Sequence, residues 1–232
     1  MENIDDIDKP PISCKDEWIG RKKIYSRKEL PLFVLDACDA AFAIPANEMT
    51  RFPNPSIAVT DLLKKSLPPK SAALVMSKPT TWFSNAPPQE NIDFLDTRPI
   101  PDDDFLDKLQ ILAFQAWLDG AQFIIDQCYN DGTDQLPLWI LAYWRSMSKV
   151  IKARAVWRKC ERWLAVEPDP RLHNADMTQA FESACAFLPG LGWDTPVSAL
   201  DQRLTTFEFT NLLGTEWLST SLVQMMVDHL TA

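Results

Sequence analysis

Between Arg145 and Arg162 the chain carries seven basic residues, Arg145, Lys149, Lys152, Arg154, Arg158, Lys159 and Arg162, against a single acid, Glu161. Clustered cations attract phosphate and carboxylate groups whatever the total charge of a protein, and the total here is −9. The segment therefore holds +6 and leaves −15 for the remainder, a marked asymmetry. At 100° per residue Arg154, Arg158 and Arg162 continue the helical face begun by Ile140, Trp144, Met147 and Ile151. The helix is expected to leave the core after Ile151 and to expose an arginine row. Arg145, Lys149, Lys152 and Lys159 share a second narrow face. Arg154, Arg158 and Arg162 are thus the candidate residues for an anion or an acidic partner. A solvated face paired with this chain's own 32 acids has the same pattern.

Other chemistry-bearing residues point to structural roles. Asp102, Asp103 and Asp104 stand where a helix should begin, and carboxylates there cap the backbone and meet the positive end of the helix dipole. The five cysteines, Cys14, Cys38, Cys128, Cys160 and Cys185, are widely spaced and odd in number, with no Cys-x-x-Cys pair. Reduced thiols are expected, rather than a disulfide framework or a zinc site. His173 and His229 have no nucleophile beside them in sequence. No glycine-rich phosphate loop, Gly-x-Ser-x-Gly or His-Glu-x-x-His motif occurs, so no catalytic constellation, metal or cofactor is expected. Five of the nine tryptophans fall between Trp117 and Trp163. They sit mostly at helical core spacing, which favours packing over a base-stacking platform.

The elements that position these residues follow from proline. Thirteen of 18 prolines lie at or before Pro101, so residues 1–100 are predicted to be short elements joined by loops. Leu32–Phe42 reads as an apolar helix closed by Pro45, and Thr60–Leu67 as a capped helical turn stopped by Pro68-Pro69. Ser71–Ser77 and Thr80–Phe83 are candidate short strands that would make a small hairpin. After Pro101 the period lengthens. Leu106, Leu109, Ala113, Trp117, Gly120 and Ile124 mark one buried face, followed by a turn at Asn130–Asp134. A second helix is predicted over Leu136–Ala165, with Pro137 in its first turn and Trp139, Tyr143, Val150, Ala153, Trp157, Cys160 and Leu164 on its inner side. Ala175–Phe187, closed by Pro189-Gly190, reads as a third helix, and Thr205–Leu213 and Thr220–Leu230 as two more. The expected fold is mainly α: a helical C-terminal region with a long helical hairpin, preceded by a proline-rich, loop-dominated region.

Hydrophobic residues at 46% and charged residues at 24% describe a globular chain rather than a disordered one. The acidic start lacks the basic and apolar regions of a signal peptide, and no run reaches the ~18 apolar residues that cross a bilayer. An intracellular protein, nuclear or cytoplasmic, without a membrane partner is expected.

The last stretch contains Ala199-Leu-Asp-Gln-Arg-Leu204, Phe207, Leu212-Leu213 and then Glu216-Trp-Leu-Ser-Thr-Ser-Leu-Val-Gln-Met-Met-Val-Asp-His-Leu230. Physically, Trp217-Leu218 plugs a core, Ser219 or Thr220 caps a helix, and Leu222, Met225, Met226 and Leu230 form its stripe. As a pattern it resembles the opening of the papain-like proteases that process SUMO and other ubiquitin-like proteins. Those domains begin with a short helical segment, a Trp-Leu-Asn-Asp-like motif and a helix with aliphatic anchors. Trp217-Leu218, Leu222 and Leu230 match, while Ser219-Thr220 stands in place of Asn-Asp. Arg98–Phe105 and Leu136–Trp144 look like segments preceding such domains in large fungal proteins. In the family the tryptophan helps cover the channel that holds the substrate's Gly-Gly tail, which makes Trp217 the substrate-tail candidate.

The family's catalytic residues lie downstream of this motif. His229 falls inside the motif's helix with no cysteine after it. The resemblance therefore implies the front part of a ubiquitin-like-protein protease, divided as 1–100, 101–198 and 199–232, with no catalysis from this chain alone and a ubiquitin-like protein as partner. A non-catalytic helical module whose basic helix binds an acidic protein, or less readily nucleic acid, is the alternative.

Overall fold

The structure is a computed structural model that describes residues 30–71, 78–85, 95–127, 134–165, 175–197 and 204–213. It is mostly helical, as expected, with one long helix and small antiparallel sheets. The described residues of Met1–Met49 and Pro68–Ser148 form one unit, and those of Thr50–Leu67 and Lys149–Ala232 form a second.

In the first unit α1 spans Leu32–Phe42 and α2 spans Ala46–Met49. A 3-10 turn at Pro79–Trp82 leads into strand β1, Phe83–Ser84. The strand predicted at Thr80–Phe83 thus begins only at Phe83. Pro79 pre-sets a helical φ at the first position of the turn and draws the chain into it. The companion strand predicted at Ser71–Ser77 falls largely outside the described residues.

Helix α4, Asp103–Leu118, starts as the sequence indicates: the Asp102 carboxylate accepts the Phe105 N–H at 2.9 Å. Asp103 is bound by the Lys70 ammonium at 2.6 Å and by the Ser148 hydroxyl. The helix stops six residues before Ile124, where its apolar period ends. Gly120 adopts φ 101°, its N–H donates to the Trp117 carbonyl at 3.1 Å, and the Ala121 N–H donates to Ala116 at 2.9 Å. That is a glycine-terminated helix end, in which the left-handed residue turns the chain out of the helix. Ile124, predicted on the helical face, lies fully buried in strand β2, Phe123–Asp126.

Two antiparallel strands stand between the two long helices, and residues 128–133, which hold most of the turn expected at Asn130–Asp134, lie outside the described residues. β2 pairs antiparallel with β1 and with β3, Asp134–Pro137, in the order β1-β2-β3. Leu136 and Pro137 therefore belong to an edge strand and not to the first turn of the next helix. An edge is where proline's missing N–H costs the sheet nothing. Trp82 packs on Phe105 with ring centroids 4.9 Å apart and on Trp144 at 6.2 Å, so the 3-10 turn, α4 and the following helix share one aromatic core.

The hairpin carries a charge problem and its solution. Asp126 and Asp134 are cross-strand partners on one face, an unfavourable like-charge pair. Arg98, 3% exposed, places Nη1 2.8 Å from Asp126 Oδ2 and Nη2 2.8 Å from Asp134 Oδ2. One fork thus satisfies both carboxylates, and Asp126 is fully buried.

Helix α5, Ile140–Leu164, contributes to both units. Its first half is buried on several sides through Ile140, Leu141, Tyr143, Trp144, Met147 and Ser148; in its second half Val150, Ala153, Trp157 and Cys160 are buried. In the second unit α3, Val59–Lys64, follows Ala58, so the predicted cap at Thr60 is absent. Helix α6 spans Ala175–Phe187 and ends in a 3-10 turn at Leu188–Gly190. Strands β4, Pro196–Val197, and β5, Leu204–Thr205, pair antiparallel ahead of a 3-10 helix at Thr206–Leu213.

Removing Arg98 should leave a buried carboxylate uncompensated, which costs about 3–5 kcal/mol. Arg98→Met is therefore expected to lower stability by that amount in urea unfolding at pH 7. A loss below about 1 kcal/mol would mean that the cluster behaves as an exposed ion pair.

Candidate binding site

Of the sequence-predicted site residues, Arg154, Arg158 and Arg162 are described and Trp217 lies outside the described residues. The second half of α5 places all three arginines on one face. Arg154 is half-buried, which corrects the expectation of a fully exposed row, while Arg158 and Arg162 are exposed.

The reason lies at the end of α3. The last carbonyls of a helix lack intrahelical partners and carry partial negative charge, so cationic donors settle there. Arg154 Nη1 donates to the Lys65 carbonyl at 2.6 Å, and Arg158 Nη2 donates to the Leu63 carbonyl at 3.4 Å. Arg162 Nε donates back to the Arg158 carbonyl at 3.2 Å. Burial, and then the neighbouring Arg158 charge, hold the Arg154 guanidinium below its usual range. It nevertheless stays charged, since arginine loses its proton only in strong base.

A backbone ladder sets α3 against the segment after α6. The Val59 N–H donates to Leu191 at 2.8 Å, Trp193 N–H to Ile57 at 3.1 Å and Asp194 N–H to Pro55 at 3.1 Å. Two tryptophans lock it: Trp193 Nε1 donates to the Asn54 carbonyl and Trp157 Nε1 to the Trp193 carbonyl, each at 3.0 Å. Gly192 lies at the closest approach, because a Cβ there would fall 3.0 Å from the Pro55 carbonyl oxygen and would collide with Thr195 Oγ1. The Thr206 hydroxyl donates to the Gly192 carbonyl at 2.5 Å and accepts the Thr195 N–H at 2.9 Å.

This packing leaves a cleft of about 220 Å³ lined by Val59, Thr60 and Leu63 of α3, Trp157, Cys160 and Glu161 of α5, Ala165, Cys185 of α6 and Pro189. Its lining is apolar apart from Thr60, Glu161 and two thiols. Thr60 donates to the Pro189 carbonyl at 3.3 Å and ties two walls together. Burial pushes the Cys160 thiol up, and its sulfur lies 3.8 Å from the Thr210 carbonyl, as a weak donor would. A thiol held protonated is a poor nucleophile. Sequence reading placed Trp157 and Cys160 in the core but had no signal for the cleft. Its walls come from three segments, of which α3 lies more than ninety residues before the other two.

Among the described residues, no group of three or more His, Cys, Asp or Glu side chains could hold a metal ion. Cys14, Cys128, His173 and His229 lie outside those residues, whereas Cys38, Cys160 and Cys185 are free thiols. Among the described residues, no helix is long and apolar enough to cross a membrane. No protein-family model matches the chain, and no curated protein or solved structure matches it either.

The two thiols of the cleft should react differently. Cys160 is buried and its thiolate disfavoured, whereas Cys185 is half-exposed. Alkylation at pH 8.5 followed by peptide mass spectrometry is expected to modify Cys185 at least tenfold faster. Equal rates would contradict the burial of Cys160.

Proposed function

We propose that the chain is a non-catalytic interaction module that docks an acidic protein segment on the second half of α5. One observation carries this reading. In the first unit Arg98, Lys70 and Arg145 pair with the protein's own acids, the Arg145 Nη2 lying 3.3 Å from Asp107. At Arg154, Arg158 and Arg162 carbonyl oxygens take that place, and no carboxylate among the described residues pairs with them. A carbonyl positions a guanidinium without cancelling its charge. Each arginine has five N–H donors, so those bonds leave most of its capacity for a partner.

Protein carboxylates suit this surface better than nucleic acid. A duplex presents one charge per roughly 1.7 Å of length, and such a rod would also meet the field of a chain whose net charge is −9. A short acidic segment can engage two or three arginines locally. Free thiols at Cys38, Cys160 and Cys185 support an intracellular setting, nuclear or cytoplasmic.

Binding of a fluorescent twelve-residue polyglutamate, followed by anisotropy across a salt series, tests the reading. Wild type is expected to bind at low salt and to weaken as salt screens the charges. The pair Arg158→Gln and Arg162→Gln, which spares the half-buried Arg154, should lose at least tenfold. Equal binding by both proteins, or preference for a single-stranded oligonucleotide of the same charge, would overturn it.

A second reading rests on the stretch that opens with Glu216-Trp-Leu-Ser, where Trp217 would line the channel for a ubiquitin-like protein's tail. On that reading the chain is the front part of a SUMO-type cysteine protease. It is expected not to turn over a fluorogenic SUMO substrate nor to react with a thiol-reactive SUMO probe. Turnover abolished by substitution of one cysteine would show that it is a complete protease instead.

A further inference from the structure

We infer that the cleft between α3, α5 and α6 receives a single apolar side chain of the acidic segment, so that the ligand class is an acidic peptide with one leucine, methionine or phenylalanine among its carboxylates. This deepens the proposed docking function and rests on it.

Size decides between a side chain and a free ligand. Pockets that enclose drug-sized molecules or cofactors run about 300–1,000 Å³, and this cleft is about 220 Å³. That is below the range for such molecules and ample for one leucine, methionine or phenylalanine side chain. Leu63, Trp157 and Pro189 supply the apolar walls.

Position couples the cleft to the charges. Leu63 lines the cleft, and its carbonyl accepts from Arg158. The Arg158 guanidinium therefore stands at the same turn of α3 that walls the cavity. Arg162 lies one turn further along α5 and, among the described residues, bonds only through Nε, so its Nη1 and Nη2 edge suits a carboxylate fork. A peptide with an apolar residue in the cleft would reach these guanidinium groups with its neighbouring carboxylates. Glu161 also lines the cleft, between the two arginines in sequence. It opposes an acidic ligand and tunes the affinity downward, which gives the inference its own signature.

Three probes separate the outcomes: a nine-residue peptide of aspartate and glutamate with one central leucine, the same peptide with serine in place of leucine, and nine-residue polyglutamate. Wild type is expected to bind the leucine peptide at least tenfold more tightly than either control. Glu161→Gln should strengthen all three, whereas Cys185→Phe, which fills the cleft, should remove the leucine advantage and leave polyglutamate binding unchanged. As a check that does not depend on a variant's folding, the leucine peptide should protect Cys185 of the wild type from alkylation at least fivefold. Equal affinity for all three peptides, or no protection of Cys185, would overturn the cleft assignment while the docking function stands. No binding of any acidic peptide would overturn both.

Discussion

Helix α5 can serve two cores only because its sequence changes character along its length. Over Ile140–Ser148 apolar residues occupy almost every direction around the axis, and Tyr143, Trp144 and Met147 are all buried in the first unit. From Lys149 onward a single stripe of Val150, Ala153, Trp157 and Cys160 faces the second unit's core. The remaining positions are free to be charged. A helix buried all round cannot display a basic face, and one with only a narrow stripe cannot fill an aromatic core. Six of the seven bases follow Ser148, where the first requirement ends.

Charge is handled in two ways. In the hairpin, two aspartates that oppose each other across a strand pair are reconciled by one buried guanidinium, whose planar fork reaches both. Such a cluster adds little net stability over an apolar core of equal volume, but it punishes any arrangement that separates its members. It therefore acts mainly on register: a one-residue slip would carry one aspartate to the opposite face. At the end of α3 the arginines meet carbonyl dipoles instead. Those bonds orient the side chains, and among the described residues no carboxylate pairs with them.

The cleft is shaped by a packing compromise. α3 is only one and a half turns long, and Val59 and Leu62 are buried while Leu63 is left to line the opening. The ladder to Leu191–Asp194 fixes α3 by backbone bonds, so its side chains need not fill every space against α6. A short helix held by its main chain tolerates an unfilled flank that a helix held only by side chains would collapse into.

Much of the local structure was determined by the sequence alone. The bounds of α1 and α6, the Asp102 cap and the burial of Leu106, Leu109, Ala113 and Trp117 follow from period, proline and capping chemistry, which act over a few residues. The hairpin between the long helices was not legible. Phe123–Asp126 and Asp134–Pro137 are four-residue segments too short to separate a helix period from a strand period, and only pairing with each other and with Phe83–Ser84 decides between them. The arginine row was visible as a charge pattern. Its division into a half-buried Arg154 and exposed Arg158 and Arg162 depends on the end of a helix about ninety residues away. The cleft depends likewise on three separate segments. Periodicity and capping are properties of neighbours along the chain, whereas enclosed space and the partner of a guanidinium are properties of neighbours in space.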